Sequence, residues 1–257
     1  MLRNNPKFVH EIYNSYLDKE NELNKIKYKK HEGWFSASSS GSCIKQLYYK
    51  INNYEEQPME RRVKRLLRLG TLVHNDLEKA IDSFIADPDS DYATGNYTIY
   101  KEKQVSIPHL RVVGHLDLAI HQENTLNVID YKTIGDYPWK MRFGRKKEKN
   151  PSQHYYLQVA TYGIALANEI ENPQVELNLI WYNKNDSRFK TQYIEPKYLD
   201  YALEYWENVN EIITEYGEDI VEIEPDTMTD IPAENWQCNY CAFKRQCEED
   251  WTNARIK

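Results

Sequence analysis

A chain of 257 residues is long enough for one large domain with a full core. Its 33 basic and 40 acidic residues give a formal net charge of −7, so any attraction for nucleic acid must come from local patches. Hydrophobic residues make up 40% of the chain, but no apolar run approaches the ~18 residues of a membrane span, and the charged N-terminal segment lacks an apolar signal core. The expected setting is intracellular and cytoplasmic, a virus-encoded protein acting in its host's cytoplasm included, with no membrane partner.

Taken in order, the pattern predicts a helix over 6–30, then Trp34-Phe35 and the serine-rich 36–42. Those serines can cap a helix beginning near Ile44, with Cys43 in its first turn. Over about 60–84, Val63, Leu66, Leu67, Leu69, Val73, Leu77, Ile81 and Phe84 recur mostly every three or four residues, as an amphipathic helix requires, with Gly70 in its middle. His74 and Glu78 share a face of that helix. The turn at 87–91 leads to three strands, 97–107, 111–121 and 125–131, the last two joined by a hairpin-like 122–124. Gly135, Pro138, Gly144 and Pro151 mark a loop after Lys132. A helix over about 152–170 lines one side with Tyr156, Val159, Ala160, Gly163, Ile164 and Ala167, and carries Gln158 and Tyr162 four apart. Strands at 175–182 and 189–194 and a helix to about 216 follow, before a tail with Pro225 and Pro232. The order, without any repeat, reads as α/β with a mixed sheet.

Two stretches carry the chemistry. Val113-Gly114-His115-Leu116-Asp117 and Val128-Ile129-Asp130-Tyr131-Lys132 each read as a strand reaching an acid at its end. The two-residue period of a strand puts Asp130 and Lys132 on one face. Two carboxylates and an ammonium at neighbouring strands can hold a hard divalent cation and activate water beside a phosphate. Any one such residue is more often a plain surface group. Acids embedded among Leu116, Val128 and Ile129, however, would bury unpaired charge unless something offsets it.

Basic residues crowd two segments, Arg61, Arg62, Lys64, Arg65 and Arg68, and Lys140, Arg142, Arg145, Lys146, Lys147 and Lys149. The 21 tyrosines against 6 phenylalanines suit stacking on bases and equally suit a half-polar core. There is no Gly-x4-Gly-Lys-Ser/Thr phosphate loop, so no ATPase motif accompanies these features.

All four cysteines fall into one pattern: Cys43, then Cys238, Cys241 and Cys247. A reducing compartment disfavours disulfides, and the C-terminal spacing is that of a metal site. Four thiolates suit tetrahedral zinc or a cubane iron–sulfur cluster, and spacing does not choose between them. Either would close a loop of roughly 200 residues, worth at most about 5 kcal/mol by chain entropy, so the site reads as structural.

In order and kind, His74, the Gly-His-Leu-Asp ending at Asp117, Asp130-Tyr131-Lys132 and Gln158-Val159-Ala160-Thr161-Tyr162 resemble the motifs of RecB-type nucleases of the PD-(D/E)xK superfamily. One cysteine before this core and three after it resemble the iron–sulfur subset of that family, the CRISPR-associated and AddB-type nucleases. The resemblance spans about Cys43 to Cys247.

It implies a restriction-endonuclease-like α/β core, a mixed sheet flanked by helices, whose helical N-terminal and cysteine-bearing C-terminal elements are clasped by a metal cluster. One nuclease domain, 1–257, would then comprise an N-terminal helical region (1–57), the core (58–218) and a cluster-binding tail (219–257). His74, Asp117, Asp130 and the Tyr131 carbonyl would bind magnesium or manganese, and Asp117, Asp130 and Lys132 would be catalytic. Cys43, Cys238, Cys241 and Cys247 would hold a four-iron four-sulfur cluster, with zinc as the alternative. Gln158, Tyr162, Lys140, Arg142, Arg145, Lys146 and Lys147 would meet DNA. Glu78 and Glu102 lie near the site in this register.

The implied activity is a metal-dependent DNA exonuclease on single strands or DNA ends, with a second copy or a recombination or repair protein as partner. The competing reading is a non-catalytic nucleic-acid-binding module with a structural zinc.

Overall fold

The computed structural model describes residues 7–27, 32–90, 95–145, 153–170, 173–223 and 235–254. Its centre is a six-stranded mixed sheet. The strands are β1 (Phe35–Ser36), β2 (Tyr97–Ile107), β3 (Val112–Gln122), β4 (Thr125–Ile134), β5 (Gln174–Asn183) and β6 (Phe189–Ile194). The helices are α1 (Lys7–Lys27), α2 (Ile44–Ile51), α3 (Arg61–Ala86), α4 (Asp136–Phe143), α5 (Gln153–Ala167), α6 (Lys197–Tyr216), α7 (Asn235–Tyr240) and α8 (Lys244–Ala254). None of the described helices is long and apolar enough to cross a membrane.

Strand β4 lies in the middle of the sheet. Val128, Ile129, Asp130 and Tyr131 are buried in succession, as expected for a strand covered on both faces. It pairs antiparallel with β3 and parallel with β5, and a parallel neighbour demands a crossover connection, which α4 and α5 supply. On one face α2, α5 and α6 enclose the main core, with Phe35, Leu157, Trp181 and Trp206 each at most 1% exposed. On the other, Leu118, Ile129 and Tyr131 form a small cluster against Leu77 and Ile81 of α3. Helix α3 runs unbroken through Gly70, where an added Cβ would stand 3.0 Å from Thr133 Oγ1. The missing side chain lets α3 approach β4.

Three expectations are corrected here. Asp117 and Asp130 lie inside their strands rather than at the ends, because β3 continues to Gln122 and β4 to Ile134. Residues 136–143, expected as loop, form α4: Gly135 is its N-cap, and Pro138 falls in the first turn, where a helix needs no N–H from it. Helix α5 is also buried nearly all round rather than on one side, with Tyr156 through Gly163 continuously enclosed.

Candidate active site

The position of the site follows from how β3 shares its edges. Strand β2 covers one edge along nearly the whole length, 97–107 against 112–122. On the other edge β4 pairs only from Gln122 to Leu118, and β1 pairs only with Val112 and Val113. Gly114 to Asp117 therefore face a gap between β1 and β4. There Asp117 replaces the missing ladder: the Tyr131 backbone N–H donates to its Oδ2 at 2.6 Å. Its other oxygen, Oδ1, lies 3.5 Å from Nδ1 of His74, delivered by α3.

Asp130 and Lys132 share a face, as the strand period predicts, and lie against α5. Lys132 Nζ is 2.6 Å from Asp130 Oδ2 and donates to Gln158 Oε1 at 3.0 Å. Gln158 in turn donates to Tyr162 Oη at 2.9 Å and, at 3.4 Å, to Asp130 Oδ1. Lys132 and Asp130 thus form a buried ion pair. At 2% exposure, Asp130 is the most deeply enclosed acid of the site.

Burial dominates the electrostatics. It pushes the Asp130 carboxyl up to about 6, with Asp117 adding to the rise and Lys132 opposing it. Burial alone would lower Lys132, but Asp130 and Asp117 outweigh it and hold the amine above its ordinary value. Lys132 is therefore an ammonium at neutral pH. Burial likewise works to lower His74, and Asp117 followed by Asp130 carries it upward on balance. Tyr131, edge-on to His74 at 5.7 Å, is pushed up to about 12 by burial and then by Asp117.

Helix α5 also brings two residues that sequence reasoning missed. The Tyr155 ring lies 4.7 Å from Lys132 Nζ, and His154, its ring 3.9 Å from Tyr155, is pushed down to about 4 by burial, then by Lys132 and Arg142. The signal was present in the chain. His154, Gln158 and Tyr162 continue one i, i+4 stripe.

Close packing supports this row. A Cβ on Gly114 would stand 2.5 Å from Tyr162 Cε1 and 2.9 Å from Ala37 Cβ. Gly114→Ala should displace Tyr162 and destabilise the fold by about 1–3 kcal/mol, read as a lower denaturant midpoint. An unchanged midpoint would show that the ring moves freely.

The two glutamates expected near the site differ. Glu78 is half-buried on α3, while Glu102 is exposed on β2. Glu102 adopts a left-handed φ of +43°, an unusual backbone state for a non-glycine inside a strand. The β2–β3 pairing skips it between Lys101↔Leu118 and Lys103↔Leu116.

Of the basic segment, Arg142 is folded inward with its guanidinium 3.8 Å from the centre of the Trp181 ring, whereas Lys140 and Arg145 are exposed. Lys146 and Lys147 lie outside the described residues.

The four cysteines come from opposite ends of the chain and line one cavity. Cys43 is the N-cap of α2, Cys238 lies in α7, Cys241 between α7 and α8, and Cys247 in α8. All four are free thiols lining one cavity of about 230 Å³. Burial raises both Cys241 and Cys247, and the neighbouring cysteines push them further up. Four thiols lining one cavity are the donor set of a metal centre. Hydrogen bonds hold the same ends together: Tyr49 Oη donates to Asp250 Oδ2 at 2.7 Å and the Gln57 N–H to the Ala242 carbonyl at 2.8 Å. As the side chains stand, no three His, Cys, Asp or Glu among the described residues are gathered tightly enough to hold a single ion. At the acidic site it is the donor chemistry, two carboxylates beside an imidazole, that fits a hard cation.

A family model described as the PD-(D/E)XK nuclease superfamily matches residues 77–248. The chain belongs to that superfamily. The match contains Asp117, Asp130, Lys132, Gln158 and the three C-terminal cysteines, while His74 and Cys43 precede it.

Among solved structures, the nuclease is similar to a protein designated SSO0001, with a TM-score of 0.56 and 16% identity over 93% of this chain and 97% of that one. It is also similar to a protein of Eubacterium rectale provisionally named an exonuclease, with a TM-score of 0.52 and 15% identity over 85% and 91%. At these identities the two likenesses speak for the fold. No curated protein matches the sequence.

Proposed function

We propose that this nuclease is a divalent-metal-dependent deoxyribonuclease, an exonuclease acting on single-stranded DNA or DNA ends, and that 1–257 work as a single domain. The observation that carries the reading is the buried Asp130 carboxylate, ion-paired at 2.6 Å with the Lys132 ammonium, in one cluster with Asp117 and His74. His74, Asp117, Asp130 and the Tyr131 carbonyl would hold magnesium or manganese, with the imidazole favouring manganese. Bound there, the ion would polarise a phosphoryl oxygen and acidify a water molecule.

The residues do the rest. Lys132, kept charged by two carboxylates, acts electrostatically: it orients the attacking water and compensates the charge that builds on phosphorus. Gln158 fixes the ammonium, and Tyr162 fixes Gln158. Both side chains are buried, which supports a positioning role over direct contact with DNA. Exposed Lys140 and Arg145 are the described candidates for phosphate contacts. In the same reading the four cysteines hold a four-iron four-sulfur cluster. The cavity they share has room for such a cluster, and zinc is the alternative occupant of the same four thiolates.

A proton on Asp130 competes with the metal. With the carboxyl at about 6 and the His74 imidazole also held above its ordinary value, manganese affinity should fall from near neutral pH and on through 6, well above the ordinary carboxylate range. Calorimetric titration across pH 4.5 to 8 measures this, and a flat affinity down to pH 5 would refute the proposed ligand.

The function itself is tested by digesting DNA and RNA, single- and double-stranded and labelled at either end, with magnesium or manganese. Nucleotide-sized products released from labelled single-stranded DNA are expected. Strands left intact with both metals would favour the zinc-held binding module instead.

A further inference from the structure

Lys45 occupies the first turn of α2, two residues after Cys43, where a lysine on a short amphipathic helix would ordinarily reach solvent. It is only 1% exposed, enclosed beside Ile44 and Leu47. Its Nζ donates at 2.7 Å to the carbonyl of Val221, in the segment Gly217–Glu222 that leads to the C-terminal cysteines. With Cys43, Cys238, Cys241 and Cys247 it lines the 230 Å³ cavity. The other charged groups there, Lys244 and Glu248, stand 3.9 Å apart and are both well exposed, so water screens them.

Four thiolates carry more negative charge than a zinc ion or an oxidised cluster core offsets, so a filled centre is a buried anion. A buried anion is stable only with compensating charge or dipoles. The positive end of α2 at Cys43 supplies part of this, and the same turn supplies an ammonium.

We propose that Lys45 is the charge partner of the four-cysteine centre, a positioning residue whose buried ammonium favours metal retention and, for an iron–sulfur cluster, raises its reduction potential. This rests on the reading of the four cysteines as a metal centre. Adding an electron makes the centre more negative, and a fixed neighbouring cation favours that step.

The test uses the full-length, metal-loaded protein. Lys45→Gln keeps an N–H donor for the Val221 carbonyl and removes the charge, and Lys45→Arg keeps the charge. Metal release to an added chelator is followed in both and in wild type. Where the metal is iron, mediated redox titration gives the midpoint.

Lys45→Gln should release metal at least tenfold faster than wild type and take up an electron at a potential lower by at least ~59 mV, a tenfold change for one electron. Lys45→Arg should stay close to wild type in both. A metal-loaded Lys45→Gln indistinguishable from wild type would overturn the role of Lys45 while leaving the metal centre standing. If Lys45→Gln folds without its centre, Lys45→Arg decides: a loaded protein supports the charge role, and an equally empty one overturns it. A wild type that binds neither iron nor zinc removes the centre and the proposal together.

Discussion

Lys132→Gln is expected to slow phosphodiester hydrolysis by roughly 10²–10³-fold, the usual cost of removing one preorganised donor from a developing anion. The fold should survive. Loss of the ammonium would leave Asp130 buried beside an amide, but its carboxyl, already pushed up to about 6, can take a proton and shed the uncompensated charge. Gln158 would lose the donor it accepts at 3.0 Å, and its own bond to Tyr162 would keep it in place. Steady-state rates with circular dichroism on the same samples measure both halves. A folded Lys132→Gln at wild-type rate would remove Lys132 from the chemistry.

The second large effect concerns the cysteine clasp. Cys43→Ala should lower the thermal midpoint by about 10–20 °C as an upper bound, from ~5 kcal/mol of loop closure at 2–4 °C per kcal/mol. The shift should fall below that bound because other contacts tie the same ends. Tyr49 reaches Asp250 and packs its ring 5.5 Å from Phe243, and Lys45 reaches Val221. Metal-stripped wild type should melt with Cys43→Ala, and cleavage per folded molecule should be kept at low temperature. Equal midpoints for loaded wild type and Cys43→Ala would show that the clasp adds nothing to stability.

Much of this arrangement is legible in the chain because local rules govern it. Strand alternation suffices to place Asp130 and Lys132 together, and three-to-four spacing suffices for α3 and its His74. What is illegible depends on partners far away. Asp117 is exposed to the site because a two-residue strand from the serine-rich segment stops pairing where β4 has already diverged, and no local pattern announces such a gap. Helix α4 hides behind glycine and proline, whose effect depends on falling at a cap and a first turn.

Gln158 and Tyr162 look like surface polar residues of a one-sided helix. They are buried because the sheet and α6 cover α5 together. Lys45 belongs with them: a charged residue at a polar position, enclosed only because the two ends of the chain meet there.

The central claim, that Asp117, Asp130 and Lys132 form a metal-dependent phosphodiesterase centre, is tested most directly by one time course. An end-labelled single strand of DNA is incubated with wild type in manganese, with wild type in excess chelator, and with Lys132→Gln in manganese. The label should shorten at an appreciable rate in the first reaction alone. Hydrolysis that survives chelation, or proceeds equally with Lys132→Gln, would contradict it.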